Sequence, residues 1–207
     1  MGRIETLDQL RQLYGEQGGR TRDKVMAALD AHCLRFIALS PFVLVATADA
    51  HGAADVSPRG DAPGFVAATE RELLLPDRPG NNRIDTLSNI IATGRVGLLF
   101  VIPGVDETLR VNGRATIHDD PALAARFRVD GRAPRTVLRV AVEEAFLHCA
   151  KAFMRSRLWS ADAQVPRAAL PTMGEMLRDQ IGAKTGISSG EAESQEAMLE
   201  RYRRVLY

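Results

Sequence analysis

The sequence predicts a mainly β protein, an antiparallel barrel of about six strands with helices at both ends. Three observations predict it. Residues 41–145 hold short apolar, β-branched runs separated by turn signals at hairpin spacing, which favours an antiparallel barrel over alternating strand–helix units. Residues 1–40 place apolar side chains at helical spacing. Residues 146–207 carry capping boxes and two prolines that punctuate helices.

In chain order, Thr6-Leu7-Asp8-Gln9 fits a capping box and starts a first helix. After the glycines between Gly15 and Gly19, the pattern predicts a second helix from about Thr21. Val25, Leu29, Cys33 and Ile37 form its buried stripe. Phe42–Thr47 reads as a strand, Asp49-Ala50-His51-Gly52 as a turn and Ala53–Ser57 as the returning strand. Gly64–Ala68 and Glu72–Leu75 read as a further pair around Thr69-Glu70-Arg71. A helix is expected from about Asn82 to Thr93, closed by Gly94. Val96–Ile102 is apolar throughout, as a central strand is. Along Thr108–Ile117, Leu109, Val111, Gly113, Ala115 and Ile117 point one way, and Arg110, Asn112, Arg114 and Thr116 the other. Asp120-Pro121 opens a short helix, and Val137–Val142 makes another strand. Phe146–Leu158 is expected to be helical. Pro166 and Pro171 interrupt the chain. Thr172–Glu175 and Ser188–Glu191 fit capping boxes, and a last helix presents Met198, Tyr202, Val205 and Leu206 on one side.

Composition narrows the function. With 27 Lys and Arg against 26 Asp and Glu, the net charge of +1 argues against a broad nucleic-acid-binding surface. Aromatic residues are 5% of the chain, too few for a base-stacking platform. No apolar run approaches the ~18 residues that cross a bilayer, and Met1–Tyr14 lacks a signal-peptide core, so the expected location is cytoplasmic. Cys33 and Cys149 form no CxxC pair, and the four histidines have no metal-binding spacing, so neither a disulfide framework nor a metal site is expected. No nucleophile elbow, dinucleotide loop or Walker loop occurs.

Three polar clusters carry the chemistry. Pro76-Asp77-Arg78-Pro79-Gly80-Asn81-Asn82-Arg83 lies between a strand and a helix. Amides from Asn81 and Asn82, the Arg83 fork and free helix N–H groups suit a phosphate monoester. A surface turn with an Asn cap is the plainer alternative. Asp55–Phe65 is a rigid Pro- and Gly-flanked loop presenting Arg59, suited to a flat electron-rich ligand or to an ordinary hairpin connection. In the third, His148, Lys151 and Arg155 would share one helix face, which suits an anion or forms a solvated basic surface.

Taken in order, these stretches resemble the pyridoxamine 5'-phosphate oxidase-like flavoproteins with the FMN-binding split barrel. The matching segments are Val45–Asp49 with Gly52, Asp55–Gly60, Pro63–Phe65, Leu75–Arg83 with Asp85, Leu87 and Asn89, Gly97–Phe100, Pro103-Gly104, Leu109–Ala115 and His148–Lys151, within roughly residues 36–160. The resemblance implies a homodimer with FMN at the subunit interface. Asn82 and Arg83, with Asn81, would hold the FMN phosphate. Ser57, Pro58, Arg59 and Gly60 would line the isoalloxazine ring and ribityl chain. Lys151 and Arg155 would add phosphate contacts, and Trp159 would flank the ring from the partner subunit. The implied organisation is one domain, with N-terminal helices in 1–35, the barrel core in 36–160 and a helical extension in 161–207.

The chain departs from the oxidase itself. Asp55-Val56-Ser57-Pro58-Arg59 stands where that enzyme carries Arg-x-x-x-Leu-Lys, and its C-terminal Arg–His motif is missing from Glu200–Tyr207. The expected activity is therefore FMN-dependent hydride exchange with a small organic substrate, with no nucleic-acid or membrane partner. A non-catalytic flavin-binding module, or a relative that takes a deazaflavin or haem, are the competing readings.

Overall fold

The computed structural model describes residues 2–16, 18–186 and 192–207. The capping box at Ser188–Glu191 lies outside the described residues. The first helix, α1 (Leu7–Tyr14), starts at the expected capping box: Thr6 Oγ1 accepts from the Gln9 amide at 3.2 Å, and Gln9 Oε1 accepts from the Thr6 amide at 3.3 Å.

The single second helix is not observed. The chain forms a short α2 (Gly19–Asp23), an extended stretch, and then α3 (Ala31–Leu39). Met26 exchanges both backbone hydrogen bonds with Ala145, and the Leu29 amide donates to the Glu70 carbonyl. Asp30 then restarts the helix by accepting from the Cys33 amide at 2.8 Å. The expected stripe survives in part. Leu29, Cys33 and Ile37 are buried, while Val25 is exposed.

Seven strands follow: β1 (Phe42–Ala48), β2 (Ala54–Gly60), β3 (Ala67–Ala68), β4 (Glu72–Asp77), β5 (Arg95–Val101), β6 (Thr108–His118) and β7 (Thr136–His148). They form one antiparallel sheet in the order β2-β1-β5-β6-β7-β4-β3. It curls into a barrel left open between its edges, and the fold is the expected split barrel. The strand expected over Gly64–Ala68 pairs only at Ala67 and Ala68, although Phe65 and Val66 are buried beside it.

β6 alternates as the sequence requires. Leu109 and Val111 are fully buried, while Arg110 and Arg114 face out. Gly113 sits at a register shift against β7, and a Cβ there would run into the Ala141 carbonyl. β7 is longer than expected. Phe146, Leu147 and His148, expected in a helix, pair with Arg110, Leu109 and Thr108. The partner strand satisfies their backbone, so the helix waits until β6 has ended, and α6 spans only Lys151–Ser156.

Two helices lie between strands. α4 (Asp85–Thr93) begins three residues later than expected and ends on left-handed Gly94. α5 (Pro121–Ala125) is capped by Asp120. After two 3-10 turns, at Ala161–Ala163 and Arg167–Ala169, come α7 (Met173–Thr185), with its capping box at Thr172, and α8 (Gln195–Arg204). Met198 on α8 is buried, but Tyr202, Val205 and Leu206 are exposed and the last two lie beyond the helix, so the expected apolar face is not assembled. The main core joins Leu29, Cys33 and Ile37 to the inward side chains of β1, β4, β5, β6 and β7. A smaller cluster of Leu74, Ala124, Phe127 and Val137 covers the other face of β4. No described helix is long and apolar enough to cross a membrane.

Candidate functional site at the open seam

The curl of the sheet brings the end of β2 opposite the end of β4, strands that lie far apart in the hydrogen-bonded order. Side chains, not backbone, span this seam. Arg59 Nη2 lies 3.4 Å from Asp77 Oδ1. Arg78 holds Asp61 through Nε and Nη2, both at 2.8 Å, and donates to the Phe127 carbonyl at 2.7 Å. Burial pushes the Asp77 carboxyl up from its ordinary pKa, and Arg59 offsets only part of that rise. The Tyr207 hydroxyl completes the shell of Asp61 by donating at 2.8 Å.

A cleft of about 390 Å³ opens here, within the range of small-ligand sites. Its walls include Pro58, Arg59 and Gly60 from β2 and Gly80, Asn81 and Asn82 from the turn after β4, with Arg135 beside them. Phe65, Ile84 and Leu87 supply apolar surface. Arg135 makes no ion pair among the described residues.

The turn that leads into α4 is strained. Asn82 has φ 61° and Ile84 φ 56°, both left-handed, and a β-branched residue there is a genuine outlier. Such conformations cost on the order of 1–3 kcal/mol and persist where surrounding structure imposes them. Ile84 is also the N-cap position of α4 and offers no side-chain acceptor, so the first-turn amides have no side-chain cap.

A polar knot fixes α4 to the strands. Asp55 Oδ2 accepts from Thr86 Oγ1 at 2.9 Å, Ser57 Oγ at 3.2 Å and Thr47 Oγ1 at 3.4 Å. Asn89 donates to Thr47 Oγ1 at 3.0 Å. One carboxylate thus ties β1, β2 and the first turn of α4 together.

The sequence-predicted residues divide into two groups. Pro58, Arg59, Gly60, Asn81 and Asn82 meet in the cleft. Ser57 turns into the Asp55 knot. Arg83 is exposed at the mouth of α4, where Asp85 accepts from its Nε at 2.7 Å and raises its pKa further. Lys151, Arg155 and Trp159 lie outside the cleft lining. Lys151 and Arg155 are exposed, while Trp159 stacks on Phe153 and donates to the Val105 carbonyl at 3.0 Å. His148 is on β7, so it does not share a helix face with Lys151 and Arg155. Sequence reasoning missed Arg135 and Ile84. Arg135 reaches the cleft only because Thr136 pairs with Asp77, a contact between distant segments that no local pattern encodes.

A sequence model of the family described as pyridoxamine 5'-phosphate oxidase matches residues 29–149. The chain belongs to that family. The match takes in α3 and every strand of the barrel, and ends just after β7. No curated protein sequence matches the chain. Among solved structures, HupZ of Group A Streptococcus is 21% identical, with 57% of this chain and 93% of that chain covered and a TM-score of 0.47. A pyridoxamine 5'-phosphate oxidase candidate from Lactobacillus delbrueckii is 22% identical, with 58% and 95% covered and a TM-score of 0.46. HutZ, described as a heme storage protein of Vibrio cholerae, is 13% identical, with 58% and 93% covered and a TM-score of 0.41.

Within the family fold, the cleft can do three things chemically. It presents cationic forks, Arg59 and Arg135, to an electron-rich group. It offers amide donors and a helix N-terminus to an anion. It gives an apolar wall to a planar ring.

Proposed function

We propose that the protein is an FMN-dependent oxidoreductase that holds the cofactor in the seam cleft and works on a small organic substrate. The observation that carries the reading is the convergence of Pro58–Gly60 and Gly80–Asn82, two segments singled out independently for a flat ligand and for a phosphate, on one cleft. The donor set fits the group. Asn81, Asn82 and the uncapped amides of α4 suit the phosphate, Arg59 suits the electron-rich edge of the ring, and Phe65 and Leu87 suit its faces. When bound, FMN supplies hydride and electron transfer that no side chain here provides.

The chain's own residues do the rest. Asp77 orients Arg59 toward the cleft. Asp55, through Thr86, sets the height of the α4 N-terminus against β2. Arg83 joins the phosphate by exchanging its Asp85 partner. Lys151, Arg155 and Trp159 enter a completed site from a second copy, so the working form is a homodimer. Among the described residues of one chain, no His, Cys, Met or Tyr lines the cleft, so an axial ligand for the haem reading would have to come from the second copy.

Titration of the protein with FMN and with riboflavin tests the phosphate assignment. The expected result is tighter binding of FMN, with the preference reduced in Arg83→Ala and the overall affinity reduced in Arg59→Ala. Equal affinity for the two flavins removes the phosphate role. Steady-state turnover with a reduced nicotinamide and an electron acceptor separates the enzyme from a flavin-binding module, since a bound flavin that no nicotinamide reduces favours the module.

A further inference from the structure

His148 ends β7, and groups from two other elements converge on it. Its Nε2 is enclosed and has no hydrogen-bond partner. Its ring packs against Phe146 with centroids 5.0 Å apart. The Lys24 ammonium, from the segment after α2, is anchored on the Leu147 carbonyl at 2.6 Å and stands 5.2 Å from the centre of the same Phe146 ring. The Arg110 guanidinium, from β6, stands 5.3 Å from that centre. The β7 register explains the convergence, because Phe146 lies opposite Arg110 and His148 opposite Thr108.

Among the described residues, no carboxylate lies within ion-pair distance of this group. Neither Lys24 nor Arg110 forms an ion pair among the described residues, although thirteen ion pairs occur elsewhere. Burial, then Arg110, then Lys24 hold the His148 imidazole below its ordinary pKa. Every charge acting on the ring is positive. Two cations are thus held over one ring beside an unpaired imidazole, an arrangement that an anion relieves on all three sides.

We propose that Lys24, Arg110 and His148 form a binding site for an oxyanion carried by a small ligand. Arg110 supplies a planar fork, Lys24 a mobile point charge, and His148 a donor once it takes a proton. Lys24 and Arg110 are exposed, so a ligand reaches them from solvent, and Phe146 gives the non-ionic part an apolar wall. None of the three lines the seam cleft of its own chain.

Proton NMR titration of the histidines tests it, in phosphate-free buffer and with inorganic phosphate or acetate added at matched ionic strength. His148→Gln assigns the resonance against those of His32, His51 and His118. Phosphate is expected to raise the His148 midpoint by about one pH unit, the low end of what a neighbouring opposite charge does. The shift should saturate, spare the other three histidines, and vanish in Lys24→Met and Arg110→Met, whose side chains are exposed. A shift with acetate as well extends the site to carboxylates, and a shift with acetate alone restricts it to them. An unchanged midpoint with both anions overturns the proposal, as does an equal shift in the two variants.

Discussion

At the residue scale, the seam rests on a few charged side chains whose surroundings decide their weight. The Arg78–Asp61 pair is nearly buried, with 13% and 3% of the side chains exposed. Removing one partner of such a pair leaves the other charge uncompensated. Asp61→Ala should therefore destabilise the protein by about 3 kcal/mol in chemical denaturation. A loss near zero would mean that the pair does not hold the seam. The cysteines make a second contrast. Cys33 is buried in the core and its thiol is pushed up to about 11, first by burial and then by Asp30, whereas Cys149 is exposed. A thiol reagent at pH 8 should modify Cys149 in the folded protein and reach Cys33 only after unfolding. Rapid reaction of both thiols would contradict the described core.

At the scale of elements, α4 and its entry turn set the site. Left-handed geometry at Ile84 is expensive for a β-branched side chain. Ile84→Gly should raise stability by roughly 1 kcal/mol while weakening FMN binding, because Ile84 also lines the cleft. A variant that gains stability and binds FMN as well as the parent would detach the strain from the site. The Asp55 knot predicts the opposite pairing. Asp55→Ala strands the Thr86 and Ser57 hydroxyls and should cost about 1–3 kcal/mol. Asp55→Asn keeps an acceptor and should recover much of that loss.

The same elements show how far sequence reaches. β1, β6 and the capping boxes at Thr6 and Thr172 were legible because their signals are local, an alternation of period two or a polar cap three residues from its partner. The break before Asp30 was not. Val25, Leu29, Cys33 and Ile37 keep helical spacing, but Met26 takes its backbone partner from Ala145. The end of β7 failed for a related reason. Phe146–Leu158 has helix-compatible residues throughout, and only pairing with β6 makes its first three extended. In the site, Arg59 and the Asn81-Asn82 turn were legible from residue type and flanking Pro and Gly. Arg135 and the Lys24–Arg110–His148 group were not, because each is assembled by strand register.

At the scale of the whole molecule, the barrel leaves one seam open, and the residues expected to complete the cofactor site stand elsewhere on the chain. Exposed apolar side chains accompany them, including Met154 and Leu158 near α6 and Leu7, Leu13 and Tyr14 on α1. A homodimer would account for both features, and light scattering on the eluting protein should then give twice the mass of one chain. The local positive charge matters more than the total. A chain of net charge +1 concentrates Arg59, Arg135 and an uncapped helix end in one cleft, which suits one phosphorylated ligand and no extended polyanion. The most direct measurement is the absorption spectrum of the purified protein, followed by quantification of released flavin. Flavin bands, with FMN in equal amount to the chain after saturation, are predicted. A colourless protein that binds no FMN on incubation would contradict the assignment of the seam cleft.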